Sequence, residues 1–139
     1  MKTLAKLIVF ILSITLANAQ ETKGQTITVT IDNVRNNNGK VSFALHTADT
    51  FMKGAGLQNA ESNIENGKAT VTFSNVASGM YAIMVLHDEN ENGRMDFQDN
   101  GMPKEDYGTS NNPMSYGPPQ FAESKFEISN KDLEIKIRF

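Results

Sequence analysis

An all-β domain, a seven-stranded antiparallel sandwich, is the fold this sequence predicts, and three observations predict it. Short runs alternate apolar and polar residues with the period of two that a half-buried strand requires. Asn/Gly-rich turns separate those runs at the close spacing of a sandwich. One run, Met80 to Leu86, is apolar on both parities, as a central strand covered on both faces would be.

Residues 1–19 stand outside this domain. Lys2 and Lys6 form a positive end, Leu7 to Leu16 is an apolar run too short to span a bilayer, and Ala17-Asn18-Ala19 is a small-x-small cleavage site. This reads as a secretory signal peptide cut before Gln20, which sends residues 20–139 to the periplasm or out of the cell with no membrane span. That length supports one domain with a real core. The absence of cysteine removes disulfides, thiol catalysis and Cys-based zinc sites together.

The elements follow in order. Gln25 to Val34 alternates, with Ile27, Val29 and Ile31 on one face and threonines on the other. Asn36-Asn37-Asn38-Gly39 turns the chain into Lys40 to His46, where Val41, Phe43 and Leu45 point inward, and the two runs read as a hairpin. Thr47 to Ala60 is loop-like, with room for one helical turn. A short strand near Ser62 to Glu65 meets Asn66-Gly67, the strongest two-residue hairpin signal, and Lys68 to Ser74 returns with Ala69, Val71 and Phe73 on one face. Gly79-Met80-Tyr81 leads into the central strand, where the Tyr81 hydroxyl can pin a neighbouring loop. A long irregular segment, Asn100 to Gln120, follows. Two last strands, Phe121 to Ile128 and Leu133 to Phe139, close a sandwich of Ig-like or transthyretin-like topology.

At the end of the central strand lies the most informative stretch. Read from Asp88, side-chain oxygens fall at the first, third, fifth, ninth and twelfth positions: Asp88, Asn90, Asn92, Asp96 and Asp99. Those are the ligand positions of a twelve-residue calcium loop, with Arg94 giving a backbone carbonyl and Gly93 the sharp turn. Position twelve is the short Asp99 and two positions are neutral Asn, so the expected calcium affinity is weak, on the order of 10⁻⁴ to 10⁻³ M. A plain Asn/Asp/Gly surface turn is the alternative. The flanks are not helical, so any cage here is mounted on a sheet.

Charge agrees. Without the leader the chain has 11 basic and 16 acidic residues, a net of −5. The segment from Asp88 to Asp106 alone carries seven acids against Arg94 and Lys104, also −5. A surface of that sign repels phosphate backbones, which argues against nucleic acid as a partner.

The long loop is the second candidate. Segments of that length in compact domains are commonly functional, and this one carries Tyr107 and Tyr116 beside Ser110, Asn111 and Asn112. Together with His87 they suit a peptide, a glycan or a protein surface; alternatively the prolines and aromatics only pin the loop. His46 and His87, each at the end of a predicted strand, would hold a transition metal if the rings met. Ser110, His87 and Asp88 can be written as a triad, but no nucleophile elbow supports it.

His87-Asp88-x-Asn90-x-Asn92-Gly93, then Gly101-x-Pro103-Lys104-Glu105-x-Tyr107-Gly108-x-Ser110-Asn111-Asn112 and Gly117-Pro118-Pro119-x-Phe121, resembles the DUF2141 family of exported bacterial proteins. The resemblance spans Ile27 to Phe139 and implies export and a sandwich fold, with no reaction attached. The Asp-x-Asn-x-Asn-Gly loop is also similar to the calcium loops of Cna-B and SdrD-type surface modules, a likeness of the loop alone. Two functions follow as expectations: a non-catalytic exported binding module with a calcium-ordered loop face, or a hydrolase-like enzyme acting on a glycan or peptide through residues 100–121 and His87.

Overall fold

The computed structural model describes residues 23–139, so the expected signal peptide at 1–19 lies outside the described residues. The described residues are all-β apart from one helical turn, and eight strands among them form two sheets. They are β1 (Gln25–Ile31), β2 (Lys40–His46), β3 (Gln58–Ser62), β4 (Ala69–Val76), β5 (Gly79–Asp88), β6 (Tyr107–Thr109), β7 (Phe126–Ile128) and β8 (Leu133–Lys136), with α1 (Phe121–Ser124) between β6 and β7. One sheet has the order β4-β1-β8; the other runs β3-β2-β5-β6, with β7 also paired to β5.

The alternating residues are buried as expected. Ile27, Val29 and Ile31 of β1 and Phe73 of β4 meet Val41, Phe43 and Leu45 of β2 and Ile83 and Val85 of β5 in one core. Burial of this kind, roughly 1.5–3 kcal/mol for each large aliphatic side chain, is what holds the two sheets face to face. β5 is central, flanked by β2 on one side and by β6 and β7 on the other. The Tyr81 hydroxyl donates to the Ala77 carbonyl at 2.8 Å and ties the turn ahead of β5 to the strand.

Several expectations are corrected. The strands among the described residues number eight, not seven, and β1 pairs with β8 in parallel, so the fold is not wholly antiparallel. β1 and β2 are not a hairpin. The link between them buries Val34, whose N–H donates to Gly67 O at 3.0 Å, and carries the chain from one sheet to the other. Alternation finds a buried face, but a hairpin and a crossover bury the same residues.

Asn66-Gly67 does make the tight turn. Both residues have positive φ (52° and 72°), and Glu65 and Lys68 exchange backbone bonds of 3.0 Å. The arms then part, because β3 begins earlier than expected, at Gln58, and joins the other sheet. The expected strand at Phe121 to Ile128 is α1 followed by the shorter β7. The loop Asn100 to Gln120 contains β6, hidden in sequence because Gly108 interrupts its side-chain pattern. A Cβ on Gly108 would collide with the Arg138 carbonyl and the Ile137 side chain.

The two histidines do not meet. In the β2–β5 register His46 faces Ala82 and His87 faces Val41, five positions along the pair, about 17 Å by strand rise. His46 is buried edge-on to Phe51, ring centroids 5.8 Å apart, and Nδ1 lies 3.1 Å from the Thr50 hydroxyl. Burial holds its imidazole below the ordinary value, outweighing the Thr50 bond. A depressed histidine pKa contributes stability that is fully present above the unfolded value of about 6.5 and is lost as pH falls from there through the folded value. Melting temperature is therefore expected to drop between pH 7 and about 5, and His46→Gln should flatten that part of the profile. An unchanged profile in the variant would remove His46 as the cause.

Candidate functional site

The site grows from the last residue of β5. Asp88 is 3% exposed although polar, because two backbone donors satisfy it: Oδ1 accepts from Asn92 N–H at 3.1 Å and Oδ2 from Gly93 N–H at 2.8 Å. Gly93 has φ 77°, the left-handed region that lets the chain wrap back over the carboxylate. Asn90 Oδ1 accepts from Asn92 N–H and Asn92 Oδ1 from Arg94 N–H, at 3.2 and 3.0 Å, two successive Asx turns. The amides of both asparagines then donate to Asp96 Oδ2, at 2.7 and 2.8 Å. Three of the predicted ligand side chains thus meet directly, Asn90, Asn92 and Asp96, and Asp88 is tied to the same loop through the backbone of Asn92 and Gly93.

Asp99 is not among them. It is exposed in the turn that Gly101 N–H closes onto Gln98 O at 2.9 Å. The acid that closes the loop is Glu105, which the spacing did not single out. Its Oε1 accepts from Glu89 N–H at 3.1 Å and its Oε2 from Asp96 N–H at 3.2 Å, so one 8%-exposed carboxylate clamps both ends of the loop. The sequence signal for it would have been an acid just before β6, where the chain returns to β5 and His87 N–H donates to Asp106 O at 2.9 Å.

The β1–β2 link supports the loop from beneath. A Cβ on Gly39, where φ is 67°, would strike the Asp88 carbonyl and the Glu89 backbone, so only glycine fits. Lys40 reaches Glu61 at 3.4 Å and Glu91 at 3.6 Å, and Arg35 pairs with Asp106 at 2.6 Å. His87 is fully buried and stacked on Phe139. Its Nε2 lies 2.8 Å from Asn38 O, which makes Nε2 the protonated nitrogen and leaves Nδ1 without a hydrogen-bond partner, 3.8 Å from Glu89 Oε1.

Among the described residues no group of three or more His, Cys, Asp or Glu side chains is gathered as a metal cage. The asparagine nitrogens, not their oxygens, meet at Asp96, while the Asn90, Asn92 and Asp88 oxygens accept backbone N–H groups; once freed, these carboxylate and amide oxygens have the chemistry of ligands for a hard cation. The two amide N–H groups occupy the Asp96 oxygen that an ion would take.

The long loop divides. Ser110, 1% exposed, accepts from Ile83 N–H at 2.9 Å and donates to Ser124 O at 2.5 Å. Asn111 donates to the carbonyls of Glu123 and Lys125 at 3.2 and 2.8 Å, and Asn112 donates to Lys136 O at 3.1 Å while accepting from Arg138 N–H at 2.8 Å. This Ser-Asn-Asn run latches α1 and the chain after β8 onto the β5–β6 edge. Ser110 sits at the Ile83 end of that edge and His87 at the Asp106 end, so the two do not form a catalytic pair. Tyr116 and Met114 are fully exposed on the outer part of the loop. Tyr107, half-buried, and Asn112 line a cleft of about 460 Å³ with Asn33, Pro113, Met114, Arg138 and Phe139.

Fold and site define a class: a small two-sheet β domain with an acidic, internally hydrogen-bonded loop at the end of its central strand. Residues 29–136 match the model of DUF2141, described as an uncharacterized protein conserved in bacteria. The chain belongs to that family. No curated protein matches it. Among solved structures, a pilus-presented adhesin (Cpa) in a cysteine-to-alanine mutant form is similar at 11% identity and a TM-score of 0.25, over 83% of this chain and 26% of that one. The chain thus spans about a quarter of that protein. Among the described residues no helix is long and apolar enough to cross a membrane.

Proposed function

We propose that the chain is an exported, non-catalytic binding or interaction module whose loop face is ordered by a calcium ion at Asp88, Asn90, Asn92 and Asp96. The meeting of both asparagine side chains at one Asp96 oxygen, with Asp88 wrapped by the backbone around Gly93, carries this reading. Asp88 and Asp96 would supply charge, the two amides and the Arg94 carbonyl neutral oxygens, and Glu105 the closing acid in place of Asp99. An ion would displace the amide donors from Asp96. We read the two-sheet arrangement as an Ig-like or transthyretin-like sandwich, and the leader as the means by which it reaches the periplasm or the exterior. Its ligand is then an extracytoplasmic peptide, glycan or protein surface.

A thermal melt after chelation, repeated with calcium, magnesium, manganese and zinc separately, tests the proposal. Calcium alone should raise the melting temperature, and Asp88→Ala should abolish the rise while the strands remain. With binding in the range of 10⁻⁴ M, ten-millimolar calcium would stabilise by about 2.7 kcal/mol. Calcium affinity retained in Asp88→Ala would overturn the assignment.

A further inference from the structure

Four Asn-Gly steps occur in the sequence, at Asn38, Asn66, Asn92 and Asn100. Each carries the same latent chemistry, because a glycine after asparagine leaves its backbone nitrogen unhindered beside the side-chain amide. The fold treats them differently. At Asn92 the Gly93 N–H is held by Asp88 Oδ2 at 2.8 Å, and the side-chain amide is held by Asp96 and by Arg94 N–H. At Asn100 the Gly101 N–H donates to Gln98 O at 2.9 Å, and the side-chain oxygen accepts from Met102 N–H at 3.1 Å. At Asn66, where φ is 52°, the Gly67 N–H donates to Asn37 Oδ1 at 3.3 Å inside the tight turn. In all three the nitrogen that would attack is occupied.

Asn38 is the exception. It is exposed, and neither its side-chain amide nor the Gly39 N–H has a hydrogen bond among the described residues. Its own N–H donates to Asn36 Oδ1 at 2.9 Å, which fixes the turn from the other side. The carbonyl of the Asn38–Gly39 peptide accepts from His87 Nε2 at 2.8 Å. When a peptide nitrogen loses its proton the charge passes to that carbonyl oxygen, so His87 is a donor aimed at the atom where charge develops. The imidazole is fully buried and stacked on Phe139, which holds the donor in place beforehand.

We propose that Asn38 is a site of self-modification, deamidating through its Gly39 neighbour with His87 as the electrostatic support. Gly39 N gives its proton to solvent and bonds to Asn38 Cγ; the Cγ–Nδ2 bond breaks and ammonia leaves. Water then opens the five-membered imide at one of its two carbonyls, giving aspartate or isoaspartate. One water is consumed and one ammonia released, with no change of oxidation state. The product lies beneath the acidic loop, since Gly39 is packed against the Asp88 carbonyl and the Glu89 backbone. Isoaspartate adds a methylene to the main chain there, so the modification acts on the floor of the candidate site. The inference goes beyond the binding-module reading and stands whether or not the loop takes calcium.

The test is prolonged incubation of the protein in heavy-oxygen water, with and without urea, followed by peptide mapping in a mass spectrometer. Urea removes the fold that distinguishes the four sites, so each site is referred to its own rate there. On that scale Asn38 should keep pace in the folded protein, while Asn66, Asn92 and Asn100 each fall roughly tenfold or more behind. The new carboxylate at Asn38 should carry heavy oxygen. His87→Phe keeps a ring against Phe139 and removes the donor, and in the folded protein it should slow Asn38 roughly tenfold. An Asn38 slowed by folding as much as the other three, or another Asn-Gly step that leads in the folded protein, would overturn the proposal without recourse to the variant. An unchanged rate at Asn38 in folded His87→Phe would overturn the role given to His87.

Discussion

Ser110→Ala is expected to cost about 2–4 kcal/mol, because it strands two buried groups at once and each unsatisfied group costs roughly 1–3 kcal/mol. The hydroxyl accepts from Ile83 N–H inside the central strand and donates to Ser124 O across the domain. Ser124 is fully buried, and its own hydroxyl donates to Thr109 at 2.9 Å, so no water can replace the lost partner without opening the site. Thermal or urea denaturation should show a fall of roughly 10 °C in a domain of this size. Tyr116→Ala, at a side chain wholly in solvent, should leave the midpoint unchanged. If Ser110→Ala instead left stability intact and weakened binding of a ligand, Ser110 would be a recognition residue and the latch described above would be wrong.

The strands were legible because burial imposes a period of two, and every predicted inward residue of β1, β2 and β4 is buried. Their partners were not. Thr26, Thr28 and Thr30 present the same outer face whether β1 pairs with β2 or with β4 and β8, and what decides it is the link through Val34 and Asn33. Asn33 donates its amide to Phe139 O and accepts from Phe139 N–H, standing in for a strand neighbour 106 residues away, a distance no local pattern reveals.

The site was half legible for a related reason. Asp88, Asn90, Asn92 and Asp96 are close enough in sequence for one loop to gather them. Glu105 reaches the loop only because Gln98 to Met102 folds into its own turn, with Phe97 bridged to Pro103 and Lys104 N–H bonded to Asp96 O. That excursion lifts Asp99 away and returns Glu105. The Ser-Asn-Asn run reads as a recognition surface in sequence because latches and binding loops use the same hydrogen-bonding residues; in the structure all three bond within the chain, Ser110 buried, Asn112 half-buried and Asn111 exposed.

Replacing Glu105 should open the Asp88–Asp96 loop while leaving the two sheets folded. Both carboxylate oxygens accept backbone N–H groups, from Glu89 at the loop's start and Asp96 near its end, and the side chain is buried. Glu105→Ala removes two charge-assisted bonds, about 1.5–3 kcal/mol for each such contact. The loss falls on the loop rather than the core, since neither donor lies inside a strand. Amide hydrogen exchange at Glu89 and Asp96 should rise at least tenfold in the variant while amides of β2 and β5 keep their protection. Glu105→Gln separates charge from shape: it keeps one acceptor but turns an NH₂ toward the other backbone donor, so it should loosen the loop nearly as much as alanine does. With the clamp gone, Asn90, Asn92 and Asp96 lose their common position, and the calcium affinity proposed for this loop, measured by calorimetry, should fall at least tenfold in both variants. A glutamine variant that keeps both the exchange protection and the calcium affinity of the parent would mean that Glu105 only fills space, and that the loop is held by Asp88 and the Gly39 turn alone.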